Sequence, residues 1–542
     1  MRARETLRRG GKHGLVRALA SAAIAACLFV AAGGAGGFAA DGESVPDGVF
    51  TMYDEGEYSR FVNYTDGYSL LVDRGMDADM DMAGVRAALE GPDKRIEIFS
   101  QALDGISGES YRAYSNGFLN NWSDHRLEYE GTQEIGGHSV HVTLWSRGRL
   151  ARVENDKNYY ACLDVYRDSG EMLTIMLSSA VPIHEAGGYA YLAEGLTFID
   201  KTGPAYIRKA TATSAFARGW NPETKAWFEQ YFGEESGLSW GIYEPKAPHE
   251  FQDLRYLEKV LEFNFPVILN YTNFENASRH ADLELRLANA HEEGRTLELT
   301  LQTYALPTGQ ANMVYQALNG VYDEFLRNYA RTVAEFGHPV LFRLGNEMNG
   351  DWCAYSGYNT SRDPRIFVEF YRYVYSFFED AGADNVIWVW NPNGKSFPDF
   401  SWNDELMYYP GDEYVDVVGM TLYNTGSYYQ GESWSSFAEL YDGLYRSYVE
   451  RYGKPLMITE FASARVGGDK QRWVEDMLAR IGDYDRIKMA VWWDGADFDS
   501  DGRIARSYYI DDPPTLIRTF RDYLNGTWDP QAVHDWKEDT FA

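Results

Sequence analysis

Two stretches decide how this chain is read: Arg343-Leu-Gly-Asn-Glu-Met-Asn-Gly-Asp-Trp352 and Lys454-Pro-Leu-Met-Ile-Thr-Glu-Phe461. Each sets a carboxylate just after a short apolar run. Such a run fits a strand buried on both faces, as in a parallel sheet, and its last residues mark the strand's C-terminal end. Working outward, the same texture repeats. Candidate strands lie at 238–243, 266–271, 297–304, 340–344, 386–390, 415–421, 456–459 and 488–492. Long helical patterns separate most of them, such as 314–336 and 367–381. Eight strands in about 290 residues is the size of an α/β fold of the (β/α)₈ TIM-barrel type. A doubly wound open sheet is the alternative, weakened by the lack of a Gly-rich phosphate loop after the first strand.

Upstream the texture differs. Residues 45–195 carry short strand-like runs such as 68–72, 95–99, 139–145 and 172–177, with a helix expected at 82–90. This reads as a smaller α+β accessory domain. Asp77, Asp79 and Asp81 alternate as metal ligands do, but a solvated acidic turn before the helix is the simpler reading. Residues 196–235 read as a helical connector, with an amphipathic helix over 222–232, and 236–528 as the barrel.

The first 40 residues stand apart. Arg2, Arg4, Arg8, Arg9, Lys12 and Arg17 precede an apolar run at 18–32, and Gly37-Phe-Ala39 supplies small residues for cleavage, the pattern of a secretory signal peptide. Removing it takes six basic residues and one acidic residue from the count, so the net charge moves from −31 to −36. Ile24-Ala-Ala-Cys27 has the form of a lipoprotein cleavage box, but the apolar Leu28-Phe-Val30 that follows argues against lipidation. The expectation is a secreted monomer. Its acidity disfavours nucleic acid and anionic membranes as partners, and no later stretch is long and apolar enough to insert in a bilayer. Beyond residue 40 only Cys162 and Cys353 remain, in different expected domains, so neither a disulfide framework nor a thiolate zinc site is expected. Aromatic content is 15%, with 40 Tyr and 15 Trp, which fits stacking on sugar rings and fits a large aromatic core equally well.

In a barrel of this kind, functional side chains gather where strands end. Here strand four ends in Asn346-Glu347, strand five in Trp390-Asn391, strand six in Tyr423-Asn424, strand seven in Glu460 and strand eight in Trp492-Trp493. Two carboxylates, three amides, a phenol and several indoles on one rim are the groups acetal cleavage uses: one carboxyl to protonate the leaving oxygen, the other to attack the anomeric carbon. Singly, each has a plainer reading. A Glu at a strand end is commonly solvated, Asn346 could cap a helix, Tyr423 could be rim packing, and either Trp could be core. Trp240, Glu244, Asn270, Tyr271 and Tyr304 could shape the cleft or pack the barrel. Asp497-Phe-Asp499-Ser-Asp501-Gly502 matches the first half of a calcium loop, but Tyr508 stands where the bidentate Glu belongs, so an acidic solvated loop is the alternative to a calcium site. No other cofactor is expected.

Over residues 238–524 the chain resembles glycoside hydrolase family 26, in the clan of retaining (β/α)₈ glycosidases. Three motifs carry the resemblance: Arg343-x-x-Asn346-Glu347-Met-Asn-Gly-x-Trp352, Tyr409-Pro-Gly-Asp-Glu-Tyr-Val-Asp-Val-Val-Gly-Met-x-x-Tyr423-Asn, and Lys454-Pro-x-x-x-Thr-Glu460-Phe. The resemblance implies Glu347 as acid/base and Glu460 as nucleophile. It implies Tyr423 as the donor holding that nucleophile, Arg343 as support beneath the carboxylates, and Trp492 as the floor under the sugar. Asn346, Trp352 and Trp390 complete the substrate-binding candidates. Asn346 stands where many members carry His, and the loop from Asp351 to Gly357 departs from the aromatic-rich run of mannan-cleaving members. The implied function is therefore a retaining, endo-acting glycoside hydrolase of a β-linked polysaccharide: mannan, β-glucan, xylan or an exopolysaccharide. A transglycosylase or a non-catalytic polysaccharide-binding protein on the same barrel are the alternatives.

Overall fold

The computed structural model describes residues 45–529 apart from 169, 184–185, 211–218, 275–279 and 304–308. The segment read as a signal peptide, the Cys27 box and Tyr304 lie outside the described residues.

From residue 45 the described residues first form two antiparallel sheets. The first joins β1 (Phe50–Glu55), β2 (Tyr58–Asn63), β3 (Tyr68–Asp73) and the short β11 (Thr197–Phe198). The second has seven strands: β4 (Asp77–Asp79), β5 (Ala87–Glu90), β6 (Lys94–Ala102), β7 (His125–Ile135), β8 (His138–Arg147), β9 (Tyr159–Asp168) and β10 (Glu171–Ser179), in the order β4-β5-β6-β10-β9-β8-β7. The expected helix at 82–90 is absent, because β5 occupies its second half. Ala87 pairs with Ile98 and Leu89 with Ile96, and all four enter the apolar core of this domain. Burial against a partner strand outweighs the helix preference of Ala and Leu. Of the acidic run before it, Asp77 is exposed, whereas the other two carboxylates are paired. Asp79 accepts from Arg86 at 2.5 Å and Asp81 pairs with Arg208 at 2.7 Å.

Eight parallel strands then close into a barrel: β12 (Ser239–Tyr243), β13 (Val267–Asn273), β14 (Thr296–Gln302), β15 (Val340–Leu344), β16 (Val386–Trp390), β17 (Val417–Thr421), β18 (Leu456–Phe461) and β19 (Ile487–Trp493), with β19 pairing back onto β12. The pattern at 314–336 forms two helices, Met313–Leu318 and Asp323–Phe336, parted at Gly320, whose φ of +85° suits a residue without a side chain.

Side chains alternate along each strand, and this alternation sorts the barrel into two layers. Val267, Leu269, Leu341, Ile387, Val389, Met489 and Val491 fill the barrel interior. Ile268, Phe342, Trp388, Trp390, Ile458 and Trp492 point outward into the layer between strands and helices. Residues 196–235, expected as a helical connector, start with β11 and contain the helix Pro222–Phe232. Asn221 caps that helix by accepting from the Thr224 N–H at 2.8 Å. Its Phe228 and Phe232 join the interior cluster beside Val267, Leu341 and Ile387, so the helix stoppers the N-terminal mouth.

The outer layer continues into the sheet domain through Phe99, Leu103, Tyr111 and Met172. Polar contacts reinforce the join: Trp122 Nε1 donates to Asn359 Oδ1 at 2.9 Å, and Trp402 Nε1 to Ser115 Oγ at 3.1 Å. Burying each such ring contributes on the order of 2–3 kcal/mol. Cys162 and Cys353 are both buried free thiols. Among the described residues, no helix is long and apolar enough to cross a membrane.

Candidate active site

The C-terminal mouth of the barrel opens into a cleft of about 1290 Å³ whose lining includes both Glu347 and Glu460. Two local devices aim these carboxylates. After β15, Gly345 turns the chain with φ +59°, where a Cβ would sit 2.9 Å from the Phe367 ring. Glu347 itself takes φ +55°, a backbone strain of the kind concentrated at functional sites, held by its N–H donating to Asn391 O at 2.8 Å. In β18 strict alternation would turn Glu460 outward, since Met457 lies inside and Ile458 outside. The register against β17 slips between Ile458 and Glu460, and the register against β19 slips between Ile458 and Phe461. This bulge turns Glu460 into the cleft and leaves Phe461 in the outer layer.

Beneath the carboxylates lies a buried polar layer. Arg343 is wholly enclosed between two acids, its Nε 3.3 Å from Glu298 and its Nη2 3.5 Å from Glu460. The same guanidinium donates to Thr300 Oγ1 at 2.8 Å and Asn391 Oδ1 at 2.9 Å, and Asn391 Nδ2 passes the chain on to Thr421 Oγ1 at 3.1 Å. Burial pushes the Glu298 carboxyl up to about 8, against the lowering pull of Arg343. A neutral Glu298 leaves the Arg343 charge directed at Glu460.

The phenol donating to Glu460 is that of Tyr271, on β13. Tyr423, expected in that role, instead stands in the cleft wall with its ring 5.2 Å from that of Tyr508 and 6.3 Å from that of Trp493. Glu347 accepts from Asn393 Nδ2 at 2.6 Å. Asn349 fastens the loop that bears this amide: its Oδ1 accepts from the Asn393 N–H at 2.8 Å and its Nδ2 donates to Asn393 O at 2.8 Å. Burial, then the nearby Glu460 charge, raises the Glu347 carboxyl to about 7, with Asn393 opposing. Asn346 lines the cleft, and its backbone carbonyl accepts from Tyr355 at 2.8 Å. Trp352 also lines the cleft, 42% exposed, its ring 5.2 Å from that of Phe397.

Two expected sugar-contacting indoles are elsewhere. Trp492 is fully buried in the outer layer, its Nε1 donating to Tyr508 O at 3.0 Å and its ring against Phe461 and Phe520. Trp390 is likewise buried, donating to Tyr408 O at 3.1 Å and packing on Tyr409. The period of two decides this: with Met489 and Val491 facing inward, Trp493 must face inward and Trp492 outward. Trp493 therefore presents its indole to the cleft, stacked on Tyr243 at 4.8 Å. Of the residues considered for shaping the cleft, Asn270 and Tyr271 line it, whereas Trp240 packs on Phe461 and Phe520 and Glu244 caps the Lys246 and Ala247 N–H groups.

The carboxylates weighed as half of a calcium loop are engaged by protein groups. Asp497 pairs with Arg506 at 2.7 Å, Asp501 with Arg503 at 3.0 Å, and Asp499 accepts from Tyr428 at 2.7 Å and from the Asp501 and Arg503 N–H groups. These residues build a hairpin of β20 (Ala496–Phe498) and β21 (Ile504–Ser507). Among the described residues, no three His, Cys, Asp or Glu side chains converge as a metal site requires.

The profile of glycosyl hydrolase family 26 matches residues 301–463, which hold Arg343, Glu347, Asn393, Tyr423 and Glu460. Endoglucanase H of Acetivibrio thermocellus is 28% identical over 322 residues, 57% of this chain and 33% of that protein. A mannan endo-1,4-beta-mannosidase of Bacillus subtilis is 38% identical over 97 residues, 17% of this chain and 25% of that protein. A beta-1,3-xylanase of a Vibrio species is 26% identical over 221 residues, 40% of this chain and 42% of that protein. The matches thus span from 25% to 42% of these relatives' lengths. Among solved structures, the catalytic domain of the Bacillus sp. JAMB-750 GH26 endo-beta-1,4-mannanase overlays with a TM-score of 0.44 at 18% identity, covering 60% of this chain and 93% of that one. Over residues 301–463, which hold Arg343 and the carboxylates Glu347 and Glu460 of the barrel mouth, this chain is thus similar to glycosyl hydrolase family 26.

Proposed function

We propose that this protein is a secreted, retaining, endo-acting hydrolase of a β-linked polysaccharide. One observation carries the reading. Glu347 and Glu460 share one cleft in unlike settings: Glu347 is raised to about 7 and bonded to an amide, while Glu460 receives bonds from Arg343 and Tyr271. Two carboxyl groups set apart in this way divide the acid and nucleophile roles.

In the first step the Glu347 proton passes to the glycosidic oxygen as that C–O bond breaks, and a Glu460 oxygen forms a bond to the anomeric carbon. In the second, Glu347 takes a proton from water, whose oxygen displaces Glu460 and restores the carboxylate. Configuration is inverted twice and so retained. Arg343 and Tyr271 hold Glu460 for in-line attack. Trp493 supplies the flat face beneath the reacting sugar, and Trp352 stands beside the acid, where the departing sugar leaves. A cleft of about 1290 Å³ holds several sugar units, which supports attack within a chain. The relatives matched act, by their names, on mannan, on β-1,3-xylan and as an endoglucanase, which supports a β-glycan substrate without choosing among the three.

The test is reducing-sugar release from mannan, β-glucans, xylans and bacterial exopolysaccharides by the wild type and by Glu460→Ala. Release from one polymer that is abolished in the variant is expected, with proton NMR showing the product's β-anomer first. An α-anomer first would overturn retention. Equal activity of the variant would overturn the assignment of the nucleophile.

A further inference from the structure

The cleft extends beyond the acid pair to a rim built by the loop after β17 and the β20–β21 hairpin after β19. Two rings stand out there. Phe498 is 59% exposed and Tyr429 is 41% exposed, and both line the same continuous cleft as Glu347 and Glu460. Strand eight lies opposite strand four in an eight-strand ring, so Phe498 faces the cleft from across the barrel relative to Trp352.

These rings are held outward rather than left to collapse on each other. Tyr428 donates to Asp499 Oδ2 at 2.7 Å, tying loop to hairpin. Arg506 crosses the same gap: it bonds Asp497 at 2.7 Å and Glu432 on the other loop, with its guanidinium 5.0 Å from the Tyr429 ring centre. The acidic residues that resemble a calcium loop therefore serve as the frame of an aromatic shelf. A rigid ring offered to solvent loses little freedom when a ligand covers it. Exposed rings beside charged hydrogen-bonding groups suit a ligand with apolar C–H faces and hydroxyl edges, which describes a pyranose.

We propose that Phe498 and Tyr429 form a distal glycan-binding platform, which stacks a sugar unit of the polysaccharide chain lying some units away from the cleaved bond. The proposal rests on the hydrolase reading for its substrate, and its test separates the two. Phe498→Ala, Tyr429→Ala and the double variant are compared with wild type on the polysaccharide that wild type cleaves. KM is expected to rise about three- to tenfold for each single variant, with kcat held. Phe498→Trp is expected to restore KM, and Phe498→Leu, apolar but without a flat face, is not. Urea unfolding midpoints matching wild type show that the fold is intact. Unchanged KM in the double variant overturns the platform while leaving hydrolysis standing. If wild type cleaves nothing, affinity electrophoresis through mannan, β-1,4-glucan and β-1,3-xylan decides. Wild type retarded more than the double variant supports the platform. Equal mobility in every gel, retarded or not, overturns it.

Discussion

Glu347 is raised to about 7 by burial first and by the Glu460 charge second. In the proposed mechanism Glu347 enters protonated to assist leaving-group departure, so kcat/KM on a natural glycan is expected to fall above pH 7. The fall should be about tenfold per pH unit, leaving roughly 1% by pH 9. The perturbation that tests the cause is Glu460→Gln, which removes the neighbouring negative charge and keeps the shape. Burial remains, so the Glu347 carboxyl should titrate below 7 yet above an ordinary glutamate. Carbon-13 NMR of labelled glutamate carboxyls follows this directly, with Glu347→Gln identifying the resonance. An aryl glycoside with a good leaving group needs no proton for departure, so its first step should show no fall above pH 7. A glycan profile flat through pH 9, or a Glu347 resonance unmoved by Glu460→Gln, would refute the coupling argued here.

Three other outcomes follow from the geometry. Trp493→Ala should raise KM with stability nearly intact, whereas Trp492→Ala should cost about 3–5 kcal/mol of unfolding free energy by opening a cavity in the outer layer, as urea titration would show. Tyr271→Phe removes the phenol that donates to Glu460 and should lower kcat about 10- to 100-fold with KM little changed, a larger kcat effect than Tyr423→Phe. Glu298 is raised to about 8 in the fold, so its stabilising contribution is complete below about pH 4.5 and is lost as pH rises through 8; the unfolding free energy of Glu298→Gln should therefore decline less between pH 5 and 8 than that of wild type.

The barrel was largely legible. Eight apolar runs with Gly and Pro punctuation placed every barrel strand, and β15 and β16 fall at the residues expected. That Glu347 and Glu460 would meet at the barrel mouth was legible for the same reason, since the strand ends of such a barrel gather on one face. The indoles were not. A strand buried on both faces is apolar throughout, so nothing in Met489-Ala-Val-Trp-Trp493 marks which indole turns inward. Tyr271 drew notice as a possible cleft residue, but its bond to Glu460 joins side chains 189 positions apart. Asn393 carried no signal at all, because its approach to Glu347 depends on Asn349 pinning another loop.

By itself, then, the chain's residue order determined the barrel, the sheet-rich domain before it and the position of two carboxylates at the barrel mouth. These follow from local periodicity and from what the end of a parallel strand does. Only the tertiary structure decided which neighbour of a pair faces the cleft, that a bulge turns Glu460 inward, and that Asp497, Asp499 and Asp501 are spent on Tyr428 and the arginines instead of a cation. Register, bulges and ion-pair partners are settled between segments far apart in sequence, where competing energies of a few kcal/mol leave no imprint on any short stretch of residues.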